Sequence, residues 1–383
     1  MPETEQLLET LVGFDTTSRT SNLELIGYVE ALLDEHGVPH ERVLSPDATK
    51  ANLIARIGPA VEGGVVLSAH TDCVPVAGQP WTRDPYRLSA SGERLHGRGT
   101  TDMKGFLATV LASLDALVAA PLRRPVLLAL SYDEEMGTVG APSLVERLLA
   151  TQPRPAAVIV GEPTEMRPVT AHKGVRAFLT TVHGRDAHSS QPHRASNAVA
   201  AAARIATFID EVALREQEAA KDPRFEPPYT SFNIGTINGG QAINIVPRRC
   251  ELEWEYRPVP ADDSEAFRDE VEEHVRDRVL PRLRAATGEG DIETHSIALV
   301  RAMATERDGV AEPLVRRLVG DDRPDRTVAF GTDGGHFQAA GISTVVCGPG
   351  SIDQAHQPDE FIERAQLRRC ERLIHGLITE LTD

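Results

Sequence analysis

Residues 65–72 read VVLSAHTD, a β-branched apolar run that ends in a histidine and an aspartate. A short continuous apolar run of this kind is typical of a strand buried on both faces of a sheet. Two later stretches have the same form, since VLLALSYDEE at 126–135 and AAVIVGEPT at 156–164 both run from apolar into acidic residues. Residues 102–120 repeat apolar side chains at helical spacing. This alternation predicts an α/β fold in which helices flank a central mixed sheet.

The alternation of buried-strand and helix patterns stops near residue 175 and resumes in the last third of the chain. The middle part combines amphipathic strand patterns, such as those within 231–259, with a long Ala-rich helix pattern at 196–219. This composition predicts an inserted α+β domain over residues 175–290, which would act as a lid and in dimerisation. Residues 1–174 and 291–383 would then form one discontinuous catalytic domain.

The composition excludes several classes of protein. The 383 residues contain 40 Lys and Arg against 57 Asp and Glu, a formal net charge of −17. Such an acidic chain is a poor ligand for nucleic acid or an anionic membrane, so neither is expected as a partner. No stretch reaches the roughly 18–20 apolar residues of a membrane span, and the acidic N-terminal sequence lacks the features of a signal peptide.

The cysteines favour a reducing compartment. They are far apart and form no C-x-x-C pair: Cys73, Cys250, Cys347 and Cys370. Disulfides are rare in reducing compartments, so we expect free thiols and a cytoplasmic protein.

Residue types that can bind metals or transfer protons lie where the predicted strands end, namely His70, Asp72, Glu134, Glu135 and Glu162. Asp102 opens the helix predicted over 102–120, and His356 lies in a C-terminal loop. In open α/β sheets, ligand-binding groups gather beyond the carboxyl ends of the strands, so most of this set should meet at one edge. His356, in a C-terminal loop, would join them if the last strands belong to the same sheet.

Two histidines and several carboxylates without cysteine suit Zn²⁺, Co²⁺ or Mn²⁺. Buried acids at this density would repel one another and take up protons, and a pair of divalent cations removes that repulsion. The alternative is an acidic surface cluster, which is less compatible with acids that follow apolar strands. Glu134 and Glu135 are adjacent, and on an extended segment their side chains would point in opposite directions. They should therefore have different roles.

The motifs resemble those of a known family. HTDCVPV (70–76), GRGTTDMKG (97–105), DEEMGTVGA (133–141), GEPT (161–164) and AHQPDEF (355–361) are similar to the metal-binding motifs of the M20 family of dizinc amidohydrolases and peptidases. The resemblance extends from residue 14 to the final helix. Residues 70–86 and 347–361 most resemble the members that remove the acyl group from N-acyl amino acids.

The resemblance implies a role for each matching residue. Two divalent ions, zinc or alternatively cobalt, would be held by His70 and Glu162 at one position, by Glu135 and His356 at the other, and by Asp102 bridging both. Asp72 would accept a hydrogen bond that fixes the imidazole tautomer of His70. Glu134 would be the general base that takes a proton from water and passes it to the leaving amine.

Three residues of the inserted domain also match family positions. His188 matches a histidine that reaches across a homodimer as an oxyanion donor, and otherwise it is a surface histidine at a strand end. Asn244 and Arg257 match positions that contact the substrate. The guanidinium of Arg257 suits an α-carboxylate, although pairing with Glu253 or Glu255 is the competing interpretation.

The segment FGTDGGHF (330–337) departs from the deacylase pattern, which more commonly has Glu at position 333 and an apolar residue at position 336. Asp333 could pair with a cationic substrate side chain. His336 either lines the substrate pocket or only covers it. The departure affects the expected substrate and leaves the expected reaction unchanged.

The resulting prediction is an enzyme that hydrolyses the amide bond of a small N-acyl amino acid. Other M20 activities remain alternatives: general aminoacylase, succinyl-diaminopimelate desuccinylase or glutamate carboxypeptidase. A non-catalytic binding protein on the same scaffold is the alternative from another class, but it would require a lost ligand or base, and none is missing. A redox or nucleotide-binding α/β protein is a weaker alternative. No G-x-G-x-x-G motif follows the first strand, and residues 97–105 do not have the residue order of a P-loop.

Overall fold

The computed structural model describes residues 2–219 and 221–382, and the chain divides into two compact units. The first unit contains the chain up to Ala171, the segment Met303–Thr327, and the chain from Thr332 onwards. The second unit contains His172–Ala302 and Val328–Gly331.

The described strands have the following bounds: β1 His40–Leu44, β2 Ala51–Ile57, β3 Val65–His70, β4 Ser89–Ser91, β5 Arg94–His96, β6 Val126–Ser131, β7 Ala157–Pro163, β8 Val169–His172, β9 Val175–His183, β10 Ser231–Gly239, β11 Arg249–Arg257, β12 Asp291–Val300, β13 Arg326–Val328, β14 Ser343–Gly348 and β15 Phe361–Glu363.

The described α-helices are α1 Pro2–Gly13, α2 Leu23–Glu35, α3 Gly105–Ala112, α4 Leu114–Ala119, α5 Ala141–Thr151, α6 Ala198–Gln217, α7 Ala266–His274, α8 Leu280–Arg284, α9 Ala311–Val319, α10 Gly334–Ala339 and α11 Arg364–Thr382.

The large sheet has the strand order β1-β2-β6-β3-β7-β14-β8-β13. Its central strands β6, β3, β7 and β14 are parallel neighbours, whereas β2 pairs antiparallel with β1 and β6, and β8 pairs antiparallel with β14. The sheet is therefore mixed, and the predicted fold class is confirmed. Strands β15, β5 and β4 form a small separate sheet.

The central strands are buried along their whole length, as their continuous apolar sequences predict. Every residue of β3, β6 and β7 is buried. Helices cover the sheet with apolar faces, and Leu8 of α1, Leu25 of α2, Phe106 of α3 and Leu373 of α11 belong to one core cluster with no exposed surface. Burial of such side chains contributes roughly 1.5–3 kcal/mol each.

The helix predicted over 102–120 begins later and is interrupted. Residues Thr100–Lys104 form an irregular turn in which Asp102 (φ −123°, ψ 92°) lies outside the helical region, and α3 begins at Gly105. The peptide N–H groups of Thr101 and Asp102 donate to the carboxylate of Glu360 instead of joining a helix. Asp102 therefore precedes the helix that it was expected to open.

The second unit contains a four-stranded antiparallel sheet in the order β10-β11-β9-β12, with α6 packed on it. Its core includes the stacked rings of Phe178 and Trp254, whose centroids are 4.6 Å apart. Its long segment extends to Ala302, beyond the predicted residue 290, because β12 pairs with β9 along its length. It begins at His172, three residues before the predicted boundary.

Among the described helices, none combines the length and the apolar character needed to cross a bilayer.

Candidate metal centre

Adjacent parallel strands carry the first two candidate ligands to one edge of the large sheet. The register pairs Val65 of β3 with Ala157 of β7 and continues to Ser68 and Val160. The same register brings His70, the last residue of β3, level with Glu162 near the end of β7. The distance between His70 Nε2 and Glu162 Oε1 is 3.8 Å. The strand pairing thus explains why these side chains meet.

Asp102 stands between two histidines. Its Oδ1 lies 2.8 Å from His70 Nε2, and its Oδ2 lies 3.2 Å from His356 Nε2. His356 Nε2 is also 2.9 Å from Glu135 Oε1. The loop that carries His356 follows β14, which pairs with β7 in the same sheet, so the condition for its joining the site is met.

The described residues form two groups that could each hold a metal ion. Potential ligand atoms within each group lie within 4.8 Å of one another, and the groups are His70, Asp102 and Glu162, and Asp102, Glu135 and His356. Asp102 belongs to both groups and offers one oxygen to each. Imidazole nitrogens and carboxylate oxygens form a donor set for Zn²⁺, Co²⁺ or Mn²⁺, so the residues present fit a pair of such ions.

The electrostatics of the metal-free groups agree with this fit. Burial and the charge of Asp102 raise the pKa of Glu135 to about 7 and that of Glu162 well above its usual range. Hydrogen bonds to Asp102 and Glu135 raise the pKa of His356 to about 10. Without a cation, the site holds protons that a divalent metal would displace.

Glu134 and Glu135 lie in a tight turn, which corrects the expectation of an extended segment. Strand β6 ends at Ser131, Asp133 adopts a left-handed conformation (φ 49°), and Glu134–Met136 form a 3₁₀ turn. The turn still separates the two carboxylates. Glu135 belongs to the second ligand group, whereas Glu134 belongs to neither. Burial and the charge of Glu162 raise the pKa of Glu134 well above its usual range.

Asp72 holds this turn. Its carboxylate accepts the peptide N–H groups of Glu134 at 3.0 Å and Glu135 at 3.3 Å, together with the Ser18 hydroxyl at 2.7 Å. The Nδ1 atom of His70 is 3.0 Å from the Asp72 carbonyl oxygen and 3.6 Å from its carboxylate. The hydrogen bond that selects the His70 tautomer therefore goes to the main chain of Asp72, and its carboxylate positions the glutamates.

Asp333 and His336 are buried on α10 and the residue before it. The Asp333 carboxylate accepts the Ser131 hydroxyl at 2.6 Å, and its other oxygen, Oδ1, is buried without a hydrogen-bond partner. Burial raises the pKa of Asp333 to about 6. The Nε2 atom of His336 is 2.8 Å from the Thr138 hydroxyl. A substrate contact by Asp333 would require this region to open, because the carboxylate has almost no exposed surface.

The other three predicted site residues lie in the second unit. An isolated bridge pairs His188 with Ile245, and the Ser189 N–H donates to the Asn244 carbonyl at 2.9 Å, so His188 and Asn244 are neighbours. The Arg257 guanidinium donates to Glu255 at 3.1 Å, with both side chains about one-third exposed. This ion pair is the structural role that was the competing interpretation of Arg257. An exposed ion pair of this kind contributes at most about 1 kcal/mol to stability, so the guanidinium is still available to a ligand.

The residues that support the ligands were not predicted from the sequence. Lys50 pairs with Asp133 beside the Glu134 turn, and Glu360 binds the main chain of Asp102. Glu360 is part of a quoted motif, but no pattern distinguishes a buried hydrogen-bond acceptor from a surface acid. Arg98, also within a motif, gives no local sign that it is buried.

Comparisons with known proteins establish the family and agree with the fold. The sequence profile of Peptidase family M20/M25/M40 matches residues 66–380, and the chain belongs to this family. It is therefore a hydrolase. An acetylornithine deacetylase from Myxococcus xanthus is 35% identical, with 98% of this chain and 96% of the relative covered. The acetylornithine deacetylase of Photorhabdus laumondii is 33% identical, with coverage of 99% and 97%.

Solved structures share the fold at lower sequence identity. An M20 family metallo-carboxypeptidase from Sulfolobus solfataricus has a TM-score of 0.76 at 19% identity, covering 100% of this chain and 99% of that protein. A Bacillus subtilis protein described as a dinuclear metal binding peptidase of the M20 family has a TM-score of 0.62 at 17% identity, with 99% of each chain covered.

Proposed function

We propose that the protein hydrolyses the amide bond of an N-acyl amino acid, with N²-acetyl-L-ornithine as substrate and L-ornithine and acetate as products. This reaction would place it in arginine biosynthesis. The observation that carries the proposal is the pair of ligand groups sharing Asp102, with the unassigned carboxylate of Glu134 beside them. The names of the curated relatives, which cover nearly the whole chain, support the choice of substrate.

The ligand assignment follows from the two groups. His70 and Glu162 would hold one ion, Glu135 and His356 the other, and Asp102 both. We propose Zn²⁺ as the resident metal, with Co²⁺ as a functional substitute. Bound divalent ions would polarise the substrate carbonyl and acidify water, which are the contributions that such ions make to amide hydrolysis.

Glu134 is the proton carrier in this proposal. Its carboxylate is outside both ligand groups, and the bond from its peptide N–H to Asp72 fixes the turn that presents it. The base accepts a proton from the attacking water and then donates it to the nitrogen of the leaving amine. In the metal-free site the raised pKa of Glu134 makes its carboxylate the better proton acceptor, which suits the first of these two transfers.

Arg257 and Asn244 would bind the substrate, and the guanidinium of Arg257 would pair with the α-carboxylate of the substrate. Asp333 remains the proposed partner of the ornithine δ-ammonium. Its unpaired Oδ1 supports that role, since a buried carboxylate oxygen without a donor is unfavourable until a cation or donor reaches it. Similar affinities of wild type and Asp333→Asn for acetylornithine would exclude this contact.

We also propose a cytoplasmic homodimer in which the partner subunit's His188 stabilises the oxyanion. The four cysteines are free and buried, as expected for a reducing compartment. The exposed position of His188 supports its availability to a second chain. Sedimentation of the purified protein as a monomer at assay concentration, with full activity, would exclude the dimer requirement.

A substrate panel on metal-stripped protein tests the proposed function. Release of free amine is measured before and after addition of Zn²⁺ or Co²⁺, with N²-acetyl-L-ornithine, N-succinyl-diaminopimelate, a γ-glutamyl-type peptide and N-acetyl-methionine. We expect negligible activity without metal and the highest restored kcat/KM with acetylornithine. A preference for another substrate would reassign the protein within its family. Absence of hydrolysis by metal-loaded protein would favour the binding-protein alternative.

A further inference from the structure

A buried ion pair joins the two loops that carry Asp102 and His356. The Arg98 guanidinium lies 2.8 Å from the Glu360 carboxylate, and the two side chains are 1% and 0% exposed. Burying such a pair is costly unless other hydrogen bonds satisfy its remaining atoms. In this chain the Glu360 carboxylate is satisfied almost entirely by main-chain donors of the loop that contains Asp102.

Glu360 fixes the main chain of Asp102. Its Oε1 accepts the N–H of Thr101 at 2.9 Å and of Asp102 at 3.2 Å, while its Oε2 accepts the N–H of Gly99 at 3.0 Å. The non-helical conformation of Asp102 leaves its N–H without a partner within the turn, and Glu360 supplies one. The carboxylate that faces both histidines is thus attached to a main chain held by a second, buried carboxylate.

Gln79 extends this network to His356. Its side-chain amide donates to the His356 carbonyl at 2.8 Å, and its side-chain oxygen accepts from Arg98 and from Trp81 Nε1. His356 has a φ of +62°, a left-handed conformation that residues other than glycine adopt only where neighbouring groups enforce it. The Gln79 hydrogen bond holds the carbonyl of this residue.

We propose that Gln79, Arg98 and Glu360, here called the loop clamp, are positioning residues that set the affinity of the second metal position. That position consists of Asp102, Glu135 and His356, and the inference rests on the ligand assignment proposed above. The first position differs because His70 and Glu162 are held by fully buried, paired strands. The two positions should therefore respond differently when the loop clamp is weakened.

Gln79→Met removes both hydrogen-bonding functions of Gln79 at nearly constant size. A matched control is Gln338→Met, because Gln338 is also a half-buried glutamine whose amide joins two segments: it donates to the Ala304 carbonyl at 2.7 Å and accepts the Ala304 N–H at 2.7 Å. Its amide also donates to the Glu306 carboxylate at 2.9 Å, and neither Ala304 nor Glu306 is a proposed metal ligand. Both variants therefore lose a side-chain amide that joins two segments of the chain. Only Gln79→Met removes a hydrogen bond to His356.

The experiment measures Co²⁺ binding to metal-stripped protein. Equilibrium dialysis gives the number of bound ions and their affinities, and visible absorption reports the coordination of each ion. We expect wild type and Gln338→Met to bind two ions. Gln79→Met should bind the first ion normally and the second 10–100-fold more weakly, the usual effect of losing a partner behind a metal ligand. His356→Ala lacks a ligand of the second position, so the part of the Co²⁺ absorption spectrum that this variant loses is assigned to the ion at that position. Glu360→Gln acts through the shared Asp102, so it should weaken the second ion most and the first ion less, because His70 and Glu162 are still held by their strands.

Three results would contradict the proposal or its basis. Two ions bound by Gln79→Met with wild-type affinity would overturn the loop clamp and leave the proposed function intact. Equal weakening of both ions in Gln79→Met, matched by Gln338→Met, would show a purely structural role and also overturn it. Fewer than two ions in wild type would overturn the ligand assignment, and the loop clamp with it.

Discussion

Adjacent residues at this site differ because of what surrounds each one. Glu134 and Glu135 have the same side chain and the same turn, yet Glu135 contacts His356 and Glu134 belongs to neither ligand group. Asp72 holds both peptide N–H groups, so the direction of each carboxylate is set by the main chain. Chemistry at the residue scale therefore depends on the turn conformation and not on residue type alone.

Glu134→Gln should separate catalysis from metal binding. The variant loses the proton acceptor but no ligand, so we expect kcat to fall by about 10²–10⁴-fold while two ions remain bound. Glu135→Gln is the matched control, since it changes a neighbouring ligand and should lower metal content. Activity and bound metal are measured on the same preparations. A normal rate per bound ion in Glu134→Gln would contradict its assignment as the base.

His172 should make the folded protein less stable in mild acid. Burial lowers the pKa of His172 to about 4, and the hydrogen bond to the Lys173 carbonyl opposes this only in part. Between pH 6.5 and 4 the unfolded chain binds a proton that the folded chain does not, so stability falls as pH decreases through this window. The full effect is about 3 kcal/mol.

His172→Asn isolates this contribution, because asparagine keeps a donor near the position of Nδ1. The free energy of unfolding is measured by denaturant titration from pH 7 to pH 4 for both proteins. All other titrating groups are common to the two, so the difference between their pH slopes belongs to position 172. Parallel slopes would show that His172 is not buried in its neutral form.

At the scale of the elements, the site depends on close contact between strands and a helix. Gly161 precedes Glu162 on β7, and a Cβ atom there would lie 2.2 Å from the ring of Phe106 on α3. Gly348 on β14 similarly approaches the Gly161 carbonyl, where a Cβ would lie 1.9 Å away. These glycines are required because the backbone of one element touches the side chain or backbone of the next.

Gly161→Ala should destabilise the protein by about 1–3 kcal/mol, the usual cost of overpacking a core. Thermal unfolding measures the effect. Gly13→Ala is the control, since a Cβ at Gly13 meets nothing within 4 Å. The double variant Gly161→Ala/Phe106→Leu should recover part of the loss, because the two residues are in contact and their effects should not add. Strict additivity would contradict the proposed clash.

At the scale of the whole molecule, the metal centre joins segments that are distant in sequence. Asp102 and His356 are 254 positions apart, and the buried Arg98–Glu360 pair links the same two regions. Ions bound by these groups would favour the folded chain, since the unfolded chain cannot present the groups together.

Removal of metal should therefore lower thermal stability. Re-addition of Co²⁺ at about 100 times its dissociation constant should restore about 2.7 kcal/mol per site. The melting temperature is measured for stripped and reloaded protein, with Asp102→Asn as the reference because Asp102 belongs to both groups. The reference should show little dependence on Co²⁺. A similar Co²⁺ response in both proteins would mean that the stabilising ions bind elsewhere.

The sequence by itself determined the fold class and the set of residues that gather at the site. Continuous apolar strands need burial on both faces, which fixes a sheet covered by helices. Residues such as His70 and Glu162 follow strands directly, and parallel strands place their carboxyl ends together. These are local or nearly local consequences of composition and order, so they could be predicted without coordinates.

Only the tertiary structure decided the turn at Glu134, the irregular start of α3 at Asp102, and the extension of the long segment of the second unit to Ala302. Each depends on a partner far along the chain: Asp72 for the turn, Glu360 for Asp102, and β9 for β12. The loop clamp could not be predicted either, since a sequence does not distinguish a buried glutamate from an exposed one. Long-range hydrogen bonds override local propensity because unpaired main-chain groups cannot be left buried.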